Sequence, residues 1–188
     1  MEIIQLSLVT LWVLVILNVV ILIKHIRTFQ TTPPSKFFNY NNVEFHKDKG
    51  IAISDQFPNI PLEDIRGNSI SYNASDNCMF IFTSTGCKAC STLYPSISSF
   101  QKQYPYIKLF LFIYGDKETA RQIITENELD NICVAHLRPE HLNAFKISIF
   151  PFSYLVSNNK VISKGVSNNA EHLHNIVRYS GIKKDKVS

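Results

Sequence analysis

Cysteine is scarce. The 188-residue chain holds four, Cys78, Cys87, Cys90 and Cys133, too few for a fold stapled by disulfides at this length. A second Cys-x-x-Cys is missing. His136, His141, His172 and His174 form no matching pair where a four-ligand zinc site would want one, so zinc is a weak reading and no metal is assigned. Charge is also scarce. Only 18% of residues are charged, and the formal net charge of +4 comes without a long basic run. Nucleic-acid binding therefore finds no support, and a mildly basic surface beside a membrane is the plainer reading. No internal repeat is present, and the length suits one domain plus an appendage.

Between Ile3 and Ile23, charge is absent altogether. The run IIQLSLVTLWVLVILNVVILI spans about 30 Å as a helix, the thickness of the hydrocarbon core. Only Met1 and Glu2 precede it, and no small-residue cleavage site follows, so it reads as an uncleaved transmembrane anchor (residues 1–23) rather than a signal peptide. Asn18 is tolerable in a helix that packs on a partner helix. Lys24, Arg27 and Lys36 follow the run and no Lys or Arg precedes it. Taken alone, that bias places the large domain in the cytoplasm, although long domains translocate despite flanking charge. Residues 24–45, with their Pro-Pro pair and amides, read as a juxtamembrane linker. A compact domain is expected over 46–188.

Within that domain, GIAISDQFPNIPLEDIRGNSISY suggests a hairpin-like N-terminal region. CMFIFTS, IKLFLFIYG and NICVAHL are short continuous apolar runs, the pattern of strands buried on both faces. CSTLYPSISSFQKQYP reads as a helix kinked at Pro95, because an internal proline removes a backbone bond. DKETARQIITENELD is a helix with Asp116 as its N-cap, and RPEHLNAFKI a shorter one. FSYLVSNNKVISKGV is a hairpin about an Asn-Asn turn, and NAEHLHNIVRYSG a helix ending near Gly181. Strands alternating with helices predict an α/β fold with helices on both faces of a central sheet. Reactive groups on such sheets sit at the carboxyl ends of the strands, where Cys87 falls.

Cys87 stands at the start of a helix, where free N–H groups and the helix dipole stabilise a thiolate. Lys88 adds positive charge beside it. Cys90, three positions on, brings its sulfur to that of Cys87. One cysteine can attack a substrate disulfide and the other resolve the mixed disulfide. A purely structural disulfide across two residues closes too small a loop to stabilise much.

These features resemble the thioredoxin superfamily, and more narrowly the membrane-anchored TlpA/ResA-type disulfide reductases and MauD-type methylamine-utilisation accessory proteins. CKACSTLYP is similar to Cys-x-x-Cys-x-x-x-x-Pro, with Pro95 as the helix-kinking proline. FKISIFPFSYLVSNNKVISKG is similar to the apolar-Pro strand, turn, strand and glycine. GDKETARQII and NICVAHL take the place of the strand–helix insertion of the TlpA-like branch, and LWVLVILNVVILIKHIR resembles the anchor and basic junction. The resemblance implies a thioredoxin-like fold with a mixed sheet. It implies Cys87 as attacking thiol and Cys90 as resolving thiol. It also implies Pro151 as a cis-proline beside the site, with the Phe150 backbone open to pair with substrate. Cofactors are not implied. The strand order it implies puts IKLFLFI between the strands of Cys78 and Cys133, too far apart for a second disulfide.

The sequence departs from the family pattern. Thr85-Gly86 stands where an aromatic usually precedes the first cysteine. Ile81 and Leu93 stand where relatives carry acids, which leaves Glu63 and Asp64 as candidates for proton management if the N-terminal region covers the site. The leading expectation is a membrane-anchored thiol–disulfide oxidoreductase. Its expected partners are protein thiol and disulfide substrates and a membrane redox partner that resets the pair. The domain is expected outside the cytoplasmic membrane, where tethered relatives work. The alternative is a non-catalytic binding, maturation or metal-delivery module for a membrane-associated partner. Copper-delivering relatives use Cys-x-x-x-Cys, one residue longer than here. A thiol peroxidase would need Pro and Thr where Phe80 and Ser84 stand.

Overall fold

The computed structural model describes residues 50–182, together with Gln5, Trp12 and residues 14–19. The chain divides into two compact units, Met1–Phe45 and His46–Ser188. In the first, Gln5, Trp12 and 14–19 are helical, and Trp12, Leu14, Ile16 and Leu17 are exposed. Among the described residues, no helix is long and apolar enough to cross a membrane. The remainder of the expected span and the linker lie outside the described residues.

The second unit is built on five strands: β1 (Cys78–Ser84), β2 (Lys108–Tyr114), β3 (Cys133–Leu137), β4 (Phe152–Ser157) and β5 (Lys160–Val166). Their spatial order is β3-β2-β1-β4-β5. The first three are parallel, while β4 and β5 run antiparallel to their neighbours. The sheet is thus mixed, with β1 at its centre. Six of the seven β1 residues are buried, which is why its sequence is continuously apolar rather than alternating. Asn158 and Asn159 join β4 to β5 with φ of 50° and 58°, the left-handed pair that a tight hairpin turn requires.

Five helices complete the described residues of the unit: α1 (Lys88–Ser91), α2 (Tyr94–Gln103), α3 (Lys117–Glu126), α4 (Pro139–Ala144) and α5 (Ala170–Tyr179). One core packs α1, α2, α3 and α5 on the face of Met79, Ile81, Leu111, Ile113 and Leu155. On the opposite face, Phe80, Phe82, Phe110, Phe112 and Tyr154 meet Phe57, Leu62 and Phe145. Phe57 stacks on Phe80 at 4.3 Å between ring centroids, and Phe80 on Phe110 at 5.0 Å. Helices do lie toward both faces, but unequally. Besides the short α4, the aromatic face is covered by the irregular segment 50–72.

That segment is not a regular hairpin. It pairs with itself at Glu63 and Ser69, with β5 at Gln56 and Lys160, and with β3 at Asp64 and Ala135. Ser54 N–H and Val161 N–H donate to Val161 O and Asp55 O at 2.7 and 3.0 Å, and Ile65 N–H donates to Val134 O at 2.8 Å. The stretch is rich in proline and polar residues, so it cannot build a full ladder, yet its Ile51, Phe57 and Leu62 still bury. Tyr154 fixes its start. The phenol accepts from Ile51 N–H and donates to Phe145 O, each at 2.9 Å.

Candidate functional site

The chain leaves β1 at Ser84 and turns at once. Thr85 N–H donates to Tyr114 O at 2.9 Å and Cys87 N–H to Ser84 O at 3.1 Å. Cys87 then caps α1 in an extended conformation. Its sulfur accepts the Cys90 N–H at 3.1 Å, the direct form of the helix-start effect expected for a thiolate. Cys87 and Cys90 form a disulfide with their Cα atoms 5.3 Å apart. Cys87 is half-buried, Cys90 fully buried and Lys88 exposed.

The single kinked helix expected here is instead two helices. α1 ends after one turn, and Thr92 Oγ1 donates to Ala89 O at 2.8 Å and lies 3.0 Å from Asn168 O. Pro95 then occupies the first turn of α2. A proline lacks the N–H that would be unpaired there anyway, so the chain starts a new helix where continuing the old one would leave a carbonyl without its donor.

Beside the disulfide, the Phe150–Pro151 peptide is cis. Phe152 pairs with Phe82 across β4 and β1, so Pro151 comes level with Thr83, near the point where the Cys87 loop emerges. Pro151 is buried, and its carbonyl accepts Ser167 N–H at 3.2 Å. Phe150 is half-buried and stacks on Tyr114, centroids 5.9 Å apart and planes within 9°. Lys88 thus follows Cys87 directly, and Phe150 and Pro151 come level with the end of β1, while Pro95 is exposed in the first turn of α2.

Four further residues shape this end, and the sequence reading gave none of them a role there. Tyr114 supplies the stacked ring. Gly115 has φ +122°, and a Cβ there would run into Thr85 Oγ1; glycine permits both the backbone and the approach. Asp116 N–H donates to Thr85 Oγ1 at 3.3 Å. His136 Nε2 lies 2.6 Å from Gly115 O, and since a carbonyl only accepts, that nitrogen carries the proton. The loop after β2 is thereby tied to the Cys87 loop on one side and to β3 on the other. The glycine directly after an apolar strand was the one visible signal.

Glu63 and Asp64 are not at the site. Asp64 bridges Ala135 on the outer edge of β3, three strand spacings from β1, or about 14 Å. Its carboxylate accepts from Arg66 N–H, Asn68 N–H and Asn68 Nδ2 at 2.9, 2.7 and 2.9 Å. The Asn68 bonds foremost hold its pKa below the usual carboxylate value. Ile81 and Leu93 are fully buried in the cluster that holds Cys90. Among the described residues no Asp or Glu is buried. A cavity of about 420 Å³ lies near Asp64, lined in part by Arg66, Arg121, Ile124 and Cys133, and so stands at the β3 edge, away from the disulfide.

Cys78 and Cys133 are free thiols. β2 lies between their strands, as the expected order required. Burial, foremost, pushes Cys78 up to about 12 and also raises Cys133. Among the described residues, no group of three or more His, Cys, Asp or Glu could hold a metal ion.

No protein-family model and no curated protein matches the chain. Solved structures do. The thioredoxin domain of a thiol-disulfide oxidoreductase from Bacteroides vulgatus aligns with a TM-score of 0.59 at 21% identity, covering 68% of this chain and 96% of that one. A thiol:disulfide interchange protein from a Bacteroides species aligns with a TM-score of 0.58 at 18% identity, covering 73% and 96%. StoA from Bacillus subtilis aligns with a TM-score of 0.53 at 20% identity, covering 63% and 95%. At these identities the likeness is one of fold: the described domain is thioredoxin-like.

Proposed function

We propose that the protein is a thiol–disulfide oxidoreductase acting on protein substrates through Cys87 and Cys90. One arrangement carries the reading. A half-buried sulfur is joined to a fully buried one at the carboxyl end of the central strand, beside a cis X-Pro peptide and a stacked Tyr114–Phe150 pair. The names of the aligned structures support it. In the reducing direction, the Cys87 thiolate attacks a substrate disulfide and one substrate thiolate leaves. Cys90, deprotonated, then attacks Cys87 Sγ and releases the second. The substrate disulfide is reduced to two thiols while Cys87 and Cys90 become the disulfide. The reverse sequence oxidises a substrate dithiol. Phe150 and Pro151 border the groove in which the substrate backbone lies.

The uncharged run from Ile3 to Ile23 supports a single transmembrane anchor in the cytoplasmic membrane, with the thioredoxin-like domain on the extracytoplasmic side. There the pair needs a membrane redox partner to exchange two electrons with it after each turnover. Insulin reduction with dithiothreitol as donor tests the activity: the wild type should accelerate it and Cys87→Ser should not. Cys90→Ser should trap a mixed disulfide with substrate. Equal trapping by Cys87→Ser would overturn the assignment of the attacking thiol.

A further inference from the structure

Tyr94 carries a buried hydroxyl without a hydrogen-bond partner. The residue is 3% exposed. A buried hydroxyl left without a partner is uncommon and costly, and asks for an explanation. Tyr94 follows Cys90 by four residues and belongs to the same apolar cluster, with Ile81 and Leu93. Thr83 lies beside its hydroxyl and pulls the Tyr94 pKa down, against the larger upward push of burial. The two nevertheless fall short of hydrogen-bond geometry. Thr83 Oγ1 instead donates to Phe112 O at 3.3 Å. Ser153 and Ser167 are also buried, and they bond each other at 2.7 Å. Among the described residues of this cluster, Tyr94 carries the one buried hydroxyl oxygen that neither donates nor accepts a hydrogen bond.

Disulfide exchange creates an acceptor for the Tyr94 proton. When a substrate thiolate attacks Cys87 Sγ, the Sγ–Sγ bond breaks and its electron pair stays on Cys90. That thiolate is born inside an apolar cluster, and a buried anion without compensation is strongly disfavoured. A charge-assisted hydrogen bond supplies the compensation. We propose that the Tyr94 hydroxyl donates a hydrogen bond to the Cys90 thiolate during exchange. The inference rests on the redox reading above. Tyr94 keeps its proton throughout, and Cys90 takes its own from water once the substrate has left. In the opposite direction the same bond holds the Cys90 thiolate that attacks Cys87 Sγ of the mixed disulfide.

Tyr72 provides a matched control. Its hydroxyl is also buried without a partner, but its ring packs on the other face of the sheet against Phe57, Phe80 and Phe110. The experiment measures, on the full chain in detergent, the rate of disulfide reduction by dithiothreitol and the equilibrium with glutathione. Tyr94→Phe should slow reduction about tenfold and leave the equilibrium with glutathione within about twofold of wild type, because the reduced protein holds Cys90 as a thiol. Tyr72→Phe should change neither. Both variants should melt no lower than wild type, because each loses only an unpartnered group. A reduction rate for Tyr94→Phe within about twofold of wild type, or an equal slowing by Tyr72→Phe, would overturn the proposal. A wild-type disulfide inert to both reagents would instead sink the redox reading itself, and the proposal with it.

Discussion

At the scale of the residue, four cysteines share one sequence but not one chemistry. Cys87 caps a helix and accepts a backbone N–H. Cys78 lies fully buried on the central strand with its pKa pushed to about 12. Native oxidised protein treated with iodoacetamide at pH 8 should leave Cys78 unmodified, and denaturation should release two free thiols, from Cys78 and Cys133. Peptide mapping checks both statements. A pH consequence follows for stability. The folded pKa of Cys78 is raised above its ordinary 9.0, and those of Tyr72 and Tyr154 above 10.0, each to about 12. The folded state therefore keeps protons that the unfolded chain gives up. Their contribution is fully present below about pH 9 and is lost as pH rises toward 12. Urea midpoints should fall steadily from pH 9 to 11, and a flat profile would contradict the burial of these groups.

At the scale of the element, most of the fold was legible because local chemistry and burial agreed. β1 and β2 are apolar over most of their length and buried on both faces, and the shorter β3 is buried at Val134, Ala135 and Leu137. Asp116 both looks like an N-cap and acts as one, accepting Thr119 N–H at 2.7 Å. The break between α1 and α2 was not legible. CSTLYPSISSF reads as one helix with a proline inside it, and only the packed chain shows that Pro95 opens a second helix. The segment 50–72 was legible in composition but not in conformation, since its order comes from partners on β3, β5 and Tyr154, distant in sequence. α5 gives a test of how far one cap matters. Asn169 accepts His172 N–H at 3.0 Å, and the helix lies on the face that holds Cys90. Asn169→Ala should lower stability by about 1 kcal/mol, measured by urea denaturation, while leaving the Cys87–Cys90 disulfide able to form.

At the scale of the whole molecule, spacing pointed to Cys87 and Cys90, and the resemblance pointed to Phe150 and Pro151. That Tyr114, Thr85, Gly115 and His136 meet there was not legible, because strand register alone brings them together. The orientation we propose makes a plain prediction. A C-terminal alkaline phosphatase fusion should be active in cells, whereas an inactive phosphatase fusion with a fluorescent C-terminal green fluorescent protein would place the domain inside, as the flanking Lys24 and Arg27 suggest.

The irregular segment 50–72 also touches both outer strands, β5 through residues 54–57 and β3 through residues 64–65. A bare sheet edge is a template on which another copy can add its own strand. One stretch of chain thus occupies part of both sheet edges, and it covers the aromatic face as well. Proteolytic nicking near Arg66 should then do more than loosen a loop. It should free strand edges on opposite sides of the sheet at once, and nicked protein should grow into chains of stacked copies rather than stop at dimers. Light scattering after limited trypsin digestion would show this, and nicked protein that stayed monomeric would show that the rest of the molecule guards its own edges.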